Sequence, residues 1–160
     1  MKSRHLVQAT VAAALLATGG AVLAPQVALA VTDTERQDVY KSFRSEFDAA
    51  RYTAALPVAQ RLVELTEQQY GPEDRQLVNP LTNLGTVYYR LGDYPAAETA
   101  YLRAVRLIEG KLAGADRMLM RPLTGLGETY LATRQYAQAA TALKRAVDLS
   151  RNLDGLFNPE

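Results

Sequence analysis

The chain has 160 residues, a formal net charge of +1, and no cysteine. These features exclude disulfide-stabilised folds, and they give no electrostatic reason to expect a nucleic acid as partner. The single histidine is His5, so a chain that loses its first residues has no imidazole for catalysis or for the usual zinc sites.

The first thirty residues have the three parts of a secretory signal peptide. Lys2 and Arg4 make the beginning positive, a long apolar run follows, and the segment closes with Ala28-Leu29-Ala30. We expect cleavage before Val31, which leaves a mature domain of residues 31–160 with a net charge of −1. A short alanine-rich signal and a cysteine-free body are typical of a bacterial periplasmic or secreted protein. The alternative is an uncleaved membrane anchor, since the apolar run is nearly long enough to span a bilayer.

Residues 35–70 predict a first pair of helices. Apolar side chains recur at three- and four-residue steps in Val39, Tyr40, Phe43 and Phe47, which indicates a helix with one buried face. A second helix is expected from about Tyr52 to near Tyr70, with Pro57 close to its first turn, where a missing N–H costs least.

The strongest feature of the sequence is a repeat with a period of 42 residues. The segment Leu81–Ile108 matches the segment Leu123–Ser150 in register, and residues 50–55 match residues 92–97. The first unit is atypical, because Phe43 stands where the later units have Gly85 and Gly127. A fixed period in this range indicates a solenoid of stacked helix pairs.

The repeat divides the chain into units of about 35–70, 74–111 and 116–152, followed by a tail of residues 153–160. In the second unit we expect a short turn, a main helix from Asn79 as cap to Arg90, a left-handed cap at Gly92 and a helix from about Tyr94 to Lys111. The third unit is expected to repeat this from Arg121 to about Thr133 and from Tyr136 to about Asn152. Gly85 and Gly127 indicate close helix contacts, for which Ala97 and Ala139 are the expected facing residues.

The spacing of the small, aromatic and leucine residues within the units resembles that of the tetratricopeptide repeat. The second unit matches that pattern at Leu84, Gly85, Tyr88, Ala97, Tyr101 and Ala104, and the third at Leu126, Gly127, Tyr130, Ala139 and Ala146. The long period is similar to that of kinesin-light-chain-type repeats. The resemblance implies an all-α fold, a short right-handed α-solenoid of three antiparallel helix pairs. It also implies a concave groove for peptides, no catalysis, no cofactor and no metal.

The resemblance places the leading helix of each pair along the groove. The residues carried over as partner-binding candidates are Arg44, Asn79, Asn83, Thr86, Tyr89, Arg90, Arg121 and Glu128, with Tyr40, Thr82 and Thr124 beside them. In the long-repeat relatives an asparagine of each unit grips the ligand backbone. Asn83 matches it, whereas Lys41 and Gly125 interrupt the ladder. The three arginines suggest an acidic segment or a free C-terminal carboxylate as ligand.

The sequence therefore predicts a non-catalytic exported module that binds a partner protein or peptide, with no nucleic acid and, after cleavage, no membrane. The alternative is a structural or assembly subunit that associates through the exposed ends of the solenoid, including a homo-oligomer. We expect the last helix to have an open flank at Leu143 and Val147. The tail from Leu153 is expected either to fold back over this flank or to mark a contact with a partner.

Overall fold

The computed structural model describes residues 33–109 and 117–157, with side chains described as far as Arg151. The expected signal peptide and its cleavage site lie outside these ranges. Within them the chain forms six α-helices, two 3₁₀ turns and no strand. The helices are α1 (Asp33–Asp48), α2 (Tyr52–Tyr70), α3 (Val78–Leu91), α4 (Tyr94–Glu109), α5 (Met120–Ala132) and α6 (Tyr136–Phe157). The predicted all-α solenoid of three helix pairs is confirmed.

Each consecutive pair of helices packs as a hairpin, and each hairpin stacks on the next through the contacts of α2 with α3 and of α4 with α5. The main core lies between the second and third pairs, where Leu77, Ile108 and Leu119 are fully buried. Removing a side chain of this size from water contributes about 1.5–3 kcal/mol. None of the helices in the described ranges is long and apolar enough to cross a membrane.

The first pair packs around a different side chain from the other two. Phe43 on α1 is only 2% exposed and shares a cluster with Ala55, Ala59 and Val87. A shift of 42 residues places Phe43 on Gly85, and it places Ala59 on Tyr101. The large side chain therefore comes from the leading helix in the first unit and from the trailing helix in the second, so the atypical Phe43 is compensated by Ala59.

The turn inside each helix pair has the same hydrogen bonds in all three units. In the second unit the Gly92 N–H donates to the Tyr89 carbonyl at 3.0 Å and the Asp93 N–H donates to the Tyr88 carbonyl at 3.0 Å. This is the Schellman arrangement, which needs a left-handed residue after the helix. Gly92 has φ +82°, as predicted, and the equivalent Ala50 and Arg134 have φ +55° and +62°. Only the middle unit has a glycine where the backbone favours one.

This difference predicts that Ala50→Gly and Arg134→Gly each stabilise the protein, by about 1 kcal/mol, because a left-handed conformation strains a residue that has a Cβ atom. Gly92→Ala should destabilise it by about the same amount. Urea unfolding followed by circular dichroism measures these changes. Stabilisation by Gly92→Ala would contradict the explanation.

The N-terminal cap of α3 differs from the prediction, which placed it at Asn79. Asn79 is not the cap, because the 3₁₀ turn Arg75–Leu77 runs directly into α3 and the helix begins at Val78. The side-chain cap lies upstream, where Asp74 accepts a hydrogen bond from the Gln76 N–H at 2.8 Å. Pro80 still lies in the first turn of α3, where its missing N–H has no partner to lose.

The end of the chain also differs from the prediction. α6 was expected to end near Asn152, but its backbone continues as helix to Phe157. A fold-back that begins at Leu153 is therefore wrong. Each further residue of a helix adds a hydrogen bond, and within this stretch only Gly155 weakens the helix, by about 1 kcal/mol. Residues 158–160 lie outside the described ranges.

Candidate functional site

The three leading helices α1, α3 and α5 line a groove that contains two adjacent hollows. The first hollow has a volume of about 280 Å³ and lies across all three helices. It is lined by Arg36, Gln37, Tyr40, Leu62, Gln76, Asn79, Pro80, Asn83 and Arg121. The second hollow, also of about 280 Å³, lies between α3 and α5 and is lined by Thr82, Thr86, Tyr101, Met120, Arg121, Thr124, Gly125 and Glu128. Arg121 belongs to both hollows.

The two arginines of the first hollow differ in their surroundings. Arg36 donates a hydrogen bond to Gln69 and another to Asp33, each at 3.1 Å, and its guanidinium lies 5.2 Å from the centre of the Tyr70 ring. Hydrogen bonds from Gln69 and Arg36 hold the pKa of Asp33 below its ordinary value. The charge of Arg36 is thus matched by a carboxylate of its own helix.

Arg121 instead has a neutral partner. Its Nη2 donates to the Asn83 Oδ1 at 3.1 Å, and it forms no ion pair with any carboxylate in the described ranges. The bond uses one of five guanidinium N–H donors, and it occupies the oxygen of Asn83, so that the amide NH₂ group is left to donate. Around Arg121 and Asn83 the groove therefore presents guanidinium and amide donors, and a positive charge that no carboxylate of the described ranges pairs with directly.

The second hollow has the Tyr101 side chain as part of its lining, although Tyr101 belongs to the trailing helix α4. The ring passes between two glycines on neighbouring leading helices. A Cβ atom on Gly85 would lie 2.8 Å from the Tyr101 Cε1, and one on Gly125 would lie 2.7 Å from its hydroxyl oxygen. Burial raises the pKa of the Tyr101 hydroxyl above its ordinary value, and Glu128 adds to the effect.

These contacts correct the prediction about the glycines. The side chain that closes on Gly85 is Tyr101 and not Ala97, and the one that closes on Gly127 is Leu143 and not Ala139. The glycines were correctly identified as sites of close approach, but the approaching group is a large side chain reaching across. Gly125 is therefore more than a gap in the asparagine ladder, since it makes room for the Tyr101 ring.

The structure brings most of the predicted site residues into the groove. Asn79 and Asn83 line the first hollow, Thr86 and Glu128 line the second, and Arg121 lines both. Tyr40 and Thr124 are also in the groove, and Thr82 lines the second hollow, although it is only 2% exposed and donates its hydroxyl proton to the Val78 carbonyl.

Three of the predicted residues lie outside both hollows. Arg44 forms a 3.0 Å ion pair with Asp48 on its own helix, and Tyr89 packs its ring 5.7 Å from that of Tyr94. Arg90 is exposed near the end of α3 and forms no ion pair or hydrogen bond within the described part of the chain. Of the three predicted arginines only Arg121 lines either hollow, so the structure does not bring the three together at one hollow.

Sequence reasoning missed some groove residues that the repeat could have indicated. Gln37 was missed, although it is equivalent to the predicted Asn79 and Arg121 at a spacing of 42 residues, and all three line the first hollow. Arg36 and Met120 were also missed, because the residue at their position in the second unit is the fully buried Val78. Gln76 has no equivalent in either hollow. Among the residues described here, no three acidic or histidine side chains are placed to hold a metal ion.

Comparison with known proteins agrees with this architecture. A family model for the tetratricopeptide repeat matches residues 44–110, and a second model with the same description matches residues 121–153. The solved structure of BtubC (BKLC) from P. vanneervenii has a similar fold, with a TM-score of 0.71 and 19% sequence identity. The similarity covers 82% of this chain and 52% of that one, so this chain spans about half the length of the solved protein. No curated protein matches the sequence.

Proposed function

The chain belongs to the tetratricopeptide repeat family, and from that premise we propose that it is a non-catalytic module that binds an extended segment of a partner protein. Repeats of this family generally mediate contacts between proteins. The binding site is the groove of α1, α3 and α5, and the segment carries a carboxylate, from an acidic side chain or from a C-terminus.

The observation that carries this proposal is the state of Arg121. A guanidinium group on a groove wall, held in place by an amide and left without a carboxylate, matches the planar two-oxygen face of a carboxylate ligand. Some arginines on other faces of the molecule are paired, as in the bonds of Arg61 to Glu35 and of Arg145 to Glu109, whereas Arg90 and Arg134 are exposed to solvent without an ion pair in the described part of the chain. Arg121 differs from both groups because its unpaired charge lines the groove, where a ligand would meet it.

A selection of random peptides on the immobilised protein tests the proposal. We expect the selected peptides to contain an acidic residue or to need a free C-terminus. We expect Arg121→Ala to weaken their binding by about tenfold or more, since a hydrogen bond to a charged group contributes about 1.5–3 kcal/mol. Fluorescence anisotropy with labelled peptides measures the affinity.

The matched control is Arg134→Ala, which removes the same charge from an exposed turn residue outside the groove. It should leave affinity unchanged, and Arg121→Lys should recover only part of the loss, because an ammonium lacks the planar fork. Selected peptides that bind the Arg121→Ala variant as well as the parent protein would remove this groove as the site.

We further propose that the protein works outside the cytoplasm, as a periplasmic or secreted module. The support is the three-part pattern of its first thirty residues, with Ala28-Leu29-Ala30 before Val31. The mass of the protein recovered from the envelope or the medium tests this. A chain that begins at Val31 is expected, and an intact Met1 on the exported protein contradicts cleavage.

A second candidate function is assembly through the free face of the last helix pair. Val147 is 48% exposed, whereas its equivalent Val105 in the second unit is 5% exposed because the third unit covers it. Leu131 and Tyr136 add exposed apolar surface at the same end. Light scattering decides the matter: this function needs an oligomer that Val147→Lys dissociates, and a monomer at high protein concentration contradicts it.

A further inference from the structure

The second hollow has a different hydrogen-bonding character from the first. Its floor is a chain of three groups, in which the Thr86 hydroxyl donates to the Thr82 carbonyl at 2.9 Å and the Tyr101 hydroxyl donates to the Thr86 oxygen at 3.0 Å. A carbonyl only accepts, so the direction of both protons follows from it. The Tyr101 oxygen is therefore left with lone pairs that can accept a hydrogen bond, and Tyr101, although only 2% exposed, lines the hollow.

Glu128 adds a second acceptor beside Tyr101. Its carboxylate is exposed, lines the second hollow, and forms no ion pair or hydrogen bond with any residue of the described ranges. It lies close enough to Tyr101 to contribute to the raised pKa of that hydroxyl. The acceptors and the negative charge of Glu128 suit a cationic donor group.

The rest of the hollow suits an aliphatic chain. Met120 and Thr124 form its α5 wall, and Gly125 contributes no side chain, so the Tyr101 ring packs directly against the Gly125 backbone. The hydroxyl of Thr124 is bonded to the Met120 carbonyl at 2.8 Å, so the wall beside it offers little free polarity. Lysine and arginine have an apolar stem with a charged end, and they match such a site.

The positive group Arg121 and the negative group Glu128 lie on the same face of α5, at a distance fixed by the helix. Arg121 and Glu128 are seven residues apart on α5, which is two turns and about 10 Å along the axis. They point their opposite charges into one groove without pairing with each other. A segment that crosses α5 in an extended conformation turns successive side chains to opposite sides, one toward each end of this face.

We propose that the groove recognises an extended protein segment with neighbouring acidic and basic residues. The acidic side chain binds Arg121 and Asn83, and the lysine or arginine next to it enters the second hollow and binds Glu128 and Tyr101. The inference rests on the proposed peptide-binding function, and it specifies the sequence class of the ligand: a charge-alternating segment in place of a uniformly acidic one.

The peptides selected from the random library test this directly. We expect a basic residue next to the acidic one to be enriched, and we expect Glu128→Gln to weaken the selected peptides by about tenfold. When the basic residue of a peptide is replaced by glutamine, Glu128→Gln should have no further effect. The matched control is Glu64→Gln, which removes a carboxylate from the exposed side of α2 and should leave affinity unchanged.

The possible outcomes distinguish a failure of this inference from a failure of the proposed peptide-binding function. Peptides that need Arg121 but bind the Glu128→Gln variant normally would overturn the basic-residue site and leave the groove intact as a carboxylate site. Selected peptides that need neither residue would overturn both. Equal loss with Glu64→Gln would show a general effect of net charge, and would also overturn the inference.

Discussion

Replacing Phe43 by glycine, the residue at the equivalent position of the later units, should destabilise the protein by about 4 kcal/mol or more. A buried phenylalanine cut to alanine costs about 3–5 kcal/mol, and glycine within a helix costs about 1 kcal/mol more. The substitution restores the pattern of the repeat, yet it empties the core of the first pair, because Ala59 is too small to fill the space. Urea unfolding followed by circular dichroism measures the loss.

A substitution at Ala59 tests whether Phe43 and Ala59 exchange side-chain volume in this way. Ala59→Tyr puts the large side chain where the second unit has Tyr101, so the double variant Phe43→Gly with Ala59→Tyr should recover part of the lost stability. Alone, Ala59→Tyr should destabilise, because Phe43 already occupies the space. Strictly additive effects of the two changes would contradict the exchange of volume between α1 and α2.

Gly125→Asn is the second substitution with a large expected effect. It would extend the asparagine ladder that the family resemblance implies from Asn83 to the third unit, and on that argument it should improve ligand binding. The structure predicts instead a loss of about 3 kcal/mol or more, because a Cβ atom at this position would overlap the Tyr101 ring, which is already held against Gly85. The thermal unfolding midpoint measures the loss.

A smaller side chain at position 101 is the control. Tyr101→Leu reproduces the residue that the third unit has at Leu143, and it should relieve much of the clash in the double variant with Gly125→Asn. The single change Tyr101→Leu should be moderately destabilising by itself. A Gly125→Asn protein that melts like the parent would show that the ring moves aside at little cost.

Much of the fold follows from the amino-acid sequence by itself. Helix periodicity and the 42-residue repeat indicated three helix pairs, and the hairpin turn at Gly92 was predicted from its cap chemistry. The helices and the cap depend on residues within one or two helical turns, and the division into pairs depends on a pattern that occurs three times in the chain. The caps at Ala50 and Arg134 were missed, because neither residue type marks a left-handed position.

The groove could be predicted only in part for a related reason. The repeat placed Asn79, Asn83 and Arg121 on leading helices, and they do line one hollow. Arg44 occupies an equivalent position to Thr86, yet it pairs with Asp48 on its own helix and lines neither hollow. A repeat assigns backbone positions, whereas the direction of a long charged side chain depends on which partner lies within reach.

Only the tertiary structure decided which side chain fills the space between leading helices. From the sequence, Gly85 was predicted to be a site of close helix packing, and Gly125 was only an interruption of the asparagine ladder. Nothing in the sequence related the two glycines to each other. The fold brings both glycines against the Tyr101 ring, although 40 residues separate them in the chain. The helices and their order follow from short-range patterns that can be read directly from the sequence. Side-chain volume and hydrogen-bond direction between helices depend on three-dimensional neighbours, and so they became visible only when the helix pairs were stacked.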